Sequence, residues 1–322
     1  MGEVTKNGTK ITILGAGNVG ASIAYAFAIA GTCSELVLVD IAKDKAEGEA
    51  MDIRQGTSFC HPVNIYDGDY EDAAGSDIVI VTLGRARKPG QSRIDLAQSN
   101  VDIIKSVIPG IAKADPDAVY VVVSNPVDIL TYTILKCTSL SPSQVIGTGT
   151  LLDTARLRSL LADKVNLSPQ SVHGYVFGEH GDTSMIPWSL AAIGGMQMSE
   201  YCKAHEYNNE ALNEAALEEM VVDVRKAGAE VIQRKGATFY AIALSVNRIC
   251  QAILGDEKAV LPVSTLINDR YGISDVCFSL PCVVGGNGVE REVNPPLLPE
   301  EIEKLKQSAD ALKAVLSGLN FD

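Results

Sequence analysis

Gly178-Glu179-His180-Gly181-Asp182 sets a histidine between glycines. Of the four histidines in the chain, His180 is the best placed to be presented in a cleft. Imidazole is the side chain best matched to proton transfer near neutral pH. An aspartate on its far ring nitrogen would fix the tautomer and stabilise the imidazolium, as in a catalytic triad stripped of its nucleophile. No serine-elbow motif and no Cys/His metal-ligand spacing accompanies it. The chemistry indicated is therefore proton transfer without a protein nucleophile or a metal.

Positive charge is the second concentration. Arg85, Arg87, Lys88 and Arg93 fall in one loop, with no acidic residue until Asp95. Gly84 and Gly90 flank Pro89 and would let the loop close as a lid over an anion. Taken alone, such a cluster is more often a solvated basic surface. Two further segments change that balance. Ser124-Asn125-Pro126-Val127-Asp128 follows the most apolar run of the chain, and Leu152-Asp153-Thr154-Ala155-Arg156 opens its second half.

The third feature is Gly15-Ala16-Gly17-Asn18-Val19-Gly20, a G-x-G-x-x-G run just after a strand-like segment and at the start of a helical one. The glycines permit a tight turn and close approach of backbone amides to a pyrophosphate, and a helix N-terminus favours the negative charge. Asp40 ends the next strand-like run, about twenty residues on, where a carboxylate accepts from the ribose hydroxyls of NAD and repels the 2′-phosphate of NADP. Without a ligand the same residues would be only a glycine-rich turn and a strand terminator. Their conjunction points to NAD.

These residues need elements to hold them. KITILGAG, ELVLVD, SDIVIVTLG, AVYVVVSNP and QVIGTGT read as strands. NVGASIAYAFAIAG, KDKAEGEAMDIRQG and IDLAQSNVDIIKSVIPGIAKA, lying between them, read as helices. Strands alternating with helices imply parallel pairing through right-handed crossovers, hence an α/β, doubly wound sheet of the Rossmann type. Ligands bind such sheets at the carboxyl edge, where Ser124 and Asn125 fall. After about residue 150 the texture changes. LLDTARLRSLLADKVN reads as a helix, SVHGYVFGEHGD as strand and turn, and a long helical stretch covers roughly 198–253 with a break near Gly236. Apolar, glycine-bearing strands follow in DVCFSLPCVVGGNGVE. Ile302, Leu305, Ala309, Leu312, Leu316 and Leu319 then form one stripe of a last, docked helix. We expect a dinucleotide-binding domain over 1–150 and an α+β substrate domain over 151–322, closely packed, since no Gly/Ser- or Pro-rich linker separates them.

Composition sets the frame. The chain has 322 residues and a net charge of −13, from 27 Lys+Arg against 40 Asp+Glu. With 46% hydrophobic and 21% charged residues it has globular composition, which excludes global disorder. A pI near 4.8 argues against nucleic acid or an anionic membrane as a partner. The uncharged stretch Ile11–Ser34 is long enough for a membrane span, but Gly15, Gly17, Asn18 and Gly20 split it into strand and helix. Seven scattered cysteines without a Cys-x-x-Cys pair, and a polar N-terminus, suit a reducing cytoplasm. The acidity leaves a question of how anionic ligands are captured against the field of the whole chain.

Along essentially its whole length the sequence resembles the NAD-dependent L-lactate/L-malate dehydrogenase family. The motifs are GAGNVG, the RKPGQSR loop, SNPVDILTY, GTGTLLDTARLR, HGYVFGEHGDTSMIPW and VIQRKGATFYAIA. The resemblance implies that His180 is the proton donor and acceptor, with Asp153 orienting it. It implies that Arg156 holds the substrate carboxylate bidentately and that Arg93 swings in with the loop to polarise the ketone. Asn125 would bond the substrate oxygen, Thr238 would line the pocket and Ile242 would pack on the nicotinamide. Val19, Tyr70, Gly84, Ser124 and Thr148 match family cofactor contacts, beside Gly15, Gly17, Gly20 and Asp40. A non-catalytic NAD or sugar-phosphate binding module would need the glycines and Asp40, but not Arg93, Asp153, Arg156 and His180 together.

The loop residue that reads the substrate side chain in this family falls on Arg87, where lactate dehydrogenases usually carry Gln and malate dehydrogenases Arg. Arg87 would pair with the second carboxylate of oxaloacetate; pyruvate offers only a methyl, and an unpaired guanidinium in a closed, dry site is costly. Glu179 in GEHGD, Trp188, Thr238 and SDVCFSLPCVVGGNGVE resemble the lactate branch instead. So do Arg158 and His173, which match the pair that binds the allosteric effector fructose 1,6-bisphosphate across a subunit interface in bacterial lactate dehydrogenases. The resemblance thus implies an L-lactate dehydrogenase lineage, commonly a homotetramer, with malate dehydrogenase as the alternative.

Overall fold

The computed structural model describes residues 8–85, 93–204 and 212–321, and the side chain of Arg93 falls outside that description. Alternation of strand and helix begins at once, with β1 (Lys10–Leu14), α1 (Asn18–Ala30), β2 (Glu35–Val39), α2 (Lys43–Gly56), β3 (Asn64–Gly68) and β4 (Ile78–Val81). It continues with α3 (Arg93–Ala114), β5 (Val119–Val122), α4 (Val127–Cys137) and β6 (Val145–Gly147). The six strands pair in parallel in the order β6-β5-β4-β1-β2-β3. The order reverses between β4 and β1, and the crevice outside that point is where a doubly wound sheet binds ligands. The uncharged stretch 11–34 is a strand, a turn and a helix, and among the described residues no helix is long and apolar enough to cross a membrane.

Strand periodicity builds the core. Successive side chains point to opposite faces of a sheet. Ile11 and Ile13, Leu36 and Leu38, Ile78 and Ile80, and Val119 and Val121 all fall on one face, against Ile23, Ala24 and Phe27 of α1. Val37, Val39, Val79, Val81, Tyr120 and Val122 fall on the other, against Val101, Ile104 and Ile108 of α3. A strand covered on both faces must be apolar throughout, which is why these runs read clearly in the sequence.

The second half opens with α5 (Leu151–Val165), followed by β7 (Val172–His173), β8 (Ala192–Ile193), β9 (Met196–Gln197) and α6 (Met198–Ala204). The expected long helical stretch is in fact this short α6, then α7 (Glu214–Lys235) and α8 (Tyr240–Leu254). Gly236, at φ +86°, ends α7. The chain closes with β10 (Ala259–Ile267), β11 (Val276–Gly285), β12 (Gly288–Glu292) and α9 (Pro299–Ser317). β10 to β12 are antiparallel and continue the first sheet, because Ser264 of β10 pairs with Gly147 of β6. The sheet therefore has nine strands and runs through both halves of the chain. Leu305, Ala309 and Leu312 of α9 are buried against its α4 face. Ile302 is only partly buried; the fully turned-in residue of that first turn is Glu301, whose carboxylate accepts from Ser189 N, Ser189 Oγ and Leu298 N.

Candidate active site

The dinucleotide turn is built as the glycine spacing requires. Gly15 has φ +104°, a region glycine alone enters freely. A Cβ on Gly20 would stand 1.9 Å from the Gly15 carbonyl oxygen, so this glycine lets α1 pack on β1. A Cβ on Gly17 would meet nothing within 4 Å, which leaves open space over the turn. No side chain caps the N-terminus of α1 and no acid lies in its first turn. Its orphan amides and positive dipole end face that space, as a pyrophosphate needs. Asp40 anchors the turn from β2, with Oδ2 accepting from Ala16 N at 2.7 Å and Oδ1 from Ala42 N at 2.9 Å. Tyr70 sits close enough to Asp40 that burial and that charge together raise its phenol pKa. The residues present thus fit NAD.

The carboxyl ends of β4, β5 and β6 supply the next residues. Gly84 has φ +147° and packs on the Asn100 amide of α3. Ser124 Oγ donates to Val81 O, and Asn125 begins the turn into α4. Asn100 ties these ends together: its Oδ1 accepts from Arg85 N at 2.8 Å and its Nδ2 donates to Asn125 O at 2.7 Å. Asn100 belongs to no motif in the sequence. The available signal was a buried polar residue inside the apolar stripe Ala97, Val101, Ile104, Ile108 of α3.

Beyond this edge lies a cavity of about 310 Å³. Val19, Asn125, Thr148 and Ile242 line its dinucleotide side, and Asp153, Arg156, His180 and Thr238 its far side. Asp153 and Arg156 are three residues apart on α5, so they share a helical face. His180 arrives from the turn after β7. Asp153 Oδ2 is 2.6 Å from His180 Nδ1, and Asp153 Oδ1 accepts from Arg156 Nη1 at 2.7 Å. Asp153 is buried, whereas the His180 side chain keeps 28% exposure, so the ring's other nitrogen can face the cavity.

The electrostatics follow from that triad. Burial works against charge on His180, but the charge and hydrogen bond of Asp153, with the charge of Asp128, outweigh it and raise the imidazole pKa above its ordinary value. Burial likewise works against ionised Asp153, and His180 and Arg156 outweigh it, so its carboxyl is held below the usual range. Asp128 is pushed up to about 6, chiefly by burial. Its Oδ2 accepts from the His180 backbone N–H at 2.8 Å. A group that donates a proton works below its pKa, so reduction of a ketone here should fail as pH rises through the raised value. Asp153→Asn removes the charge that raises it. The basic limb of the reduction pH profile is expected to move to lower pH, with kcat lower by about 10²-fold. Initial rates from pH 5 to 9 check this, and an unmoved limb would detach Asp153 from the titration.

The residues named in advance do not all meet. Arg87 lies outside the described residues. Arg93 is the first residue of α3, and its side chain lies outside them too. Arg158 and His173 do not line the cavity; Arg158 Nε donates to the carbonyl of Gly174, the residue after His173, at 3.2 Å, and its guanidinium stands 5.4 Å from the Tyr175 ring. One cavity wall was missed altogether. Arg225, Gly228, Ala229 and Ile232 of α7 line it at spacings of three, one and three, a single helical face visible only once α7 is known to cross the site.

A dinucleotide turn beside a cavity that holds a carboxylate-backed histidine and an arginine is the arrangement of a nicotinamide-dependent dehydrogenase. The comparisons agree. Residues 9–147 match the model of the lactate/malate dehydrogenase NAD binding domain, and 150–320 that of the lactate/malate dehydrogenase alpha/beta C-terminal domain. The chain therefore belongs to the lactate/malate dehydrogenase family, and its cofactor is NAD. It is 48% identical over 312 residues to an L-lactate dehydrogenase of Clostridium botulinum, covering 97% of each chain. To one of Acetivibrio thermocellus it is 46% identical, covering 97% of this chain and 98% of that one. Its fold superposes on the ligand-bound minor L-lactate dehydrogenase of Enterococcus mundtii with a TM-score of 0.94, at 41% identity over 98% of this chain and all of that one.

Proposed function

We propose that the protein is an L-lactate dehydrogenase interconverting pyruvate and L-lactate. The observation that carries the reading is His180, Asp153 and Arg156 in one cavity beside an open dinucleotide turn. When bound, NADH supplies the hydride to the keto carbon. His180, its Nδ1 engaged by Asp153, gives the proton from its other nitrogen to the keto oxygen. Arg156 has one N–H committed to Asp153, which fixes the plane of the guanidinium and leaves the rest of the fork for the substrate carboxylate. Asn125 donates to the substrate oxygen, Arg93 polarises it, and Thr238 and Ile242 bound the pocket. Relatives named L-lactate dehydrogenase support pyruvate as substrate. Arg87 favours oxaloacetate, the malate dehydrogenase reading. The substrate domain is assigned to 151–322 and the dinucleotide domain to 1–150.

Regulation and assembly are part of the proposal. Arg158, bonded to the carbonyl next to His173, and the exposed His173 suit a bisphosphate effector such as fructose 1,6-bisphosphate. Tyr25, Ile29, Tyr240 and Leu244 form an exposed apolar face on the paired helices α1 and α8, which suits the subunit contact of a homotetramer. Seven free cysteines suit the cytoplasm. The test is NADH oxidation with pyruvate or oxaloacetate, each with and without fructose 1,6-bisphosphate. Turnover of pyruvate is expected, with the saturation curve moved to lower pyruvate by the effector. A preference for oxaloacetate by several decades would overturn the lactate reading, and superposable curves would remove the effector.

A further inference from the structure

The turn carrying His180 is closed by a ring of hydrogen bonds that runs through the C-terminal helix. Ser308 of α9 is fully buried, and its Oγ accepts from Glu179 N at 2.8 Å. The same Oγ lies 3.0 Å from Thr183 Oγ1. Thr183 gives its N–H, at 3.2 Å, and its hydroxyl to Glu179 Oε2. The Thr183 hydroxyl proton therefore points at Glu179. The Ser308 proton is then the one shared with Thr183. Each donor has one destination, and the ring returns to the residue it left.

The next amide in the chain, His180 N–H, is held by Asp128 Oδ2. Two successive amides ahead of the imidazole are thus each fixed by a side chain from a distant element. Gly178, at φ +86°, brings the turn this close to α9, since a Cβ there would stand 2.6 Å from Ser308 Oγ. Packing alone does not call for a hydroxyl at 308. Its stripe neighbours are Leu305, Ala309 and Leu312, and alanine would fill the position without a polar group to desolvate.

We infer that Ser308 is a positioning residue for His180, through which the C-terminal helix sets the imidazole against Asp153 and the substrate. The inference rests on His180 being the proton donor. Loosening the turn weakens the His180–Asp153 pairing and with it the stabilisation of the imidazolium, so proton donation fails at lower pH.

The experiment uses full-length Ser308→Ala, Ser308→Cys and Thr183→Val, with His180→Asn as control. Cysteine keeps the branching of serine with a larger, weakly hydrogen-bonding atom, and the Thr183 variant breaks the ring from its other side. All three are expected to lose roughly tenfold in kcat for pyruvate reduction and to shift the basic limb to lower pH, with NADH fluorescence titrations unchanged. If His180→Asn is inactive while the folded variants keep the wild-type kcat and limb, the inference is wrong. If His180→Asn itself turns over, the reading of His180 is wrong instead.

Discussion

Alanine in place of His180 should lower kcat for pyruvate reduction by roughly 10⁴-fold while NADH still binds. The two halves of this result come from the geometry. The dinucleotide turn is made by β1, β2 and α1, with Gly15, Gly17, Gly20 and Asp40, and Asp40 braces it from within by accepting from Ala16 N. Cofactor affinity should therefore survive. Among the described residues that line the cavity His180 is the one imidazole, beside the carboxyls of Asp153 and Asp182. Asp153 does not stand in for it, because the charges of His180 and Arg156 outweigh burial and hold its carboxyl below the usual range. Removing the imidazole also leaves Asp153 buried against Arg156 alone, so the variant carries a misplaced charge as well as a missing acid. Stopped-flow hydride transfer and NADH fluorescence separate the two effects. Turnover within a hundredfold of wild type would mean that another group supplies the proton.

What the sequence made legible was local or carried by a motif. The glycine turn and Asp40 follow from spacing, and α1, α2 and α5 begin and end within a residue or two of where the apolar periodicity and glycines put them. β1, β2, β4 and β5 were visible because strands buried on both faces are apolar throughout. β3 was not named, because its NIYDG run covers one partly exposed edge of the sheet. β10 was not named either: Pro262, Ser264 and Thr265 interrupt its apolar pattern. The partnership of Asp153 with His180 came through family resemblance, since no local pattern links positions 27 apart. Asn100 to Asn125, Asp128 to the His180 amide and Ser308 to the Glu179 amide were missed for the same reason. Each is one side chain meeting a backbone group far away in sequence, and backbone groups carry no residue-type signal. The acidity of the chain ceases to be a puzzle in this frame. Positive potential is local, at the N-terminus of α1 and on Arg156 and Arg225, while the acidic excess lies mainly on solvated faces.

Arg87→Gln should lower the ratio of kcat/KM for oxaloacetate to that for pyruvate by about 10³-fold. On the proposed role of Arg87, its guanidinium would meet the second carboxylate of oxaloacetate, and breaking a desolvated charge pair by removing one partner costs about 3–5 kcal/mol, or roughly two to four decades in rate. With pyruvate the same guanidinium would face a methyl and lack an anion, so glutamine would relieve a penalty and the pyruvate value would rise. Both changes move the ratio in one direction. Thr238, on the cavity wall, adds crowding that a four-carbon diacid feels more than pyruvate does. Steady-state kinetics with both substrates, on wild type and variant at the same pH and salt, give the ratio directly. A ratio that does not move would mean that Arg87 does not read the substrate side chain, and specificity would have to be sought on the α7 wall formed by Arg225, Gly228, Ala229 and Ile232.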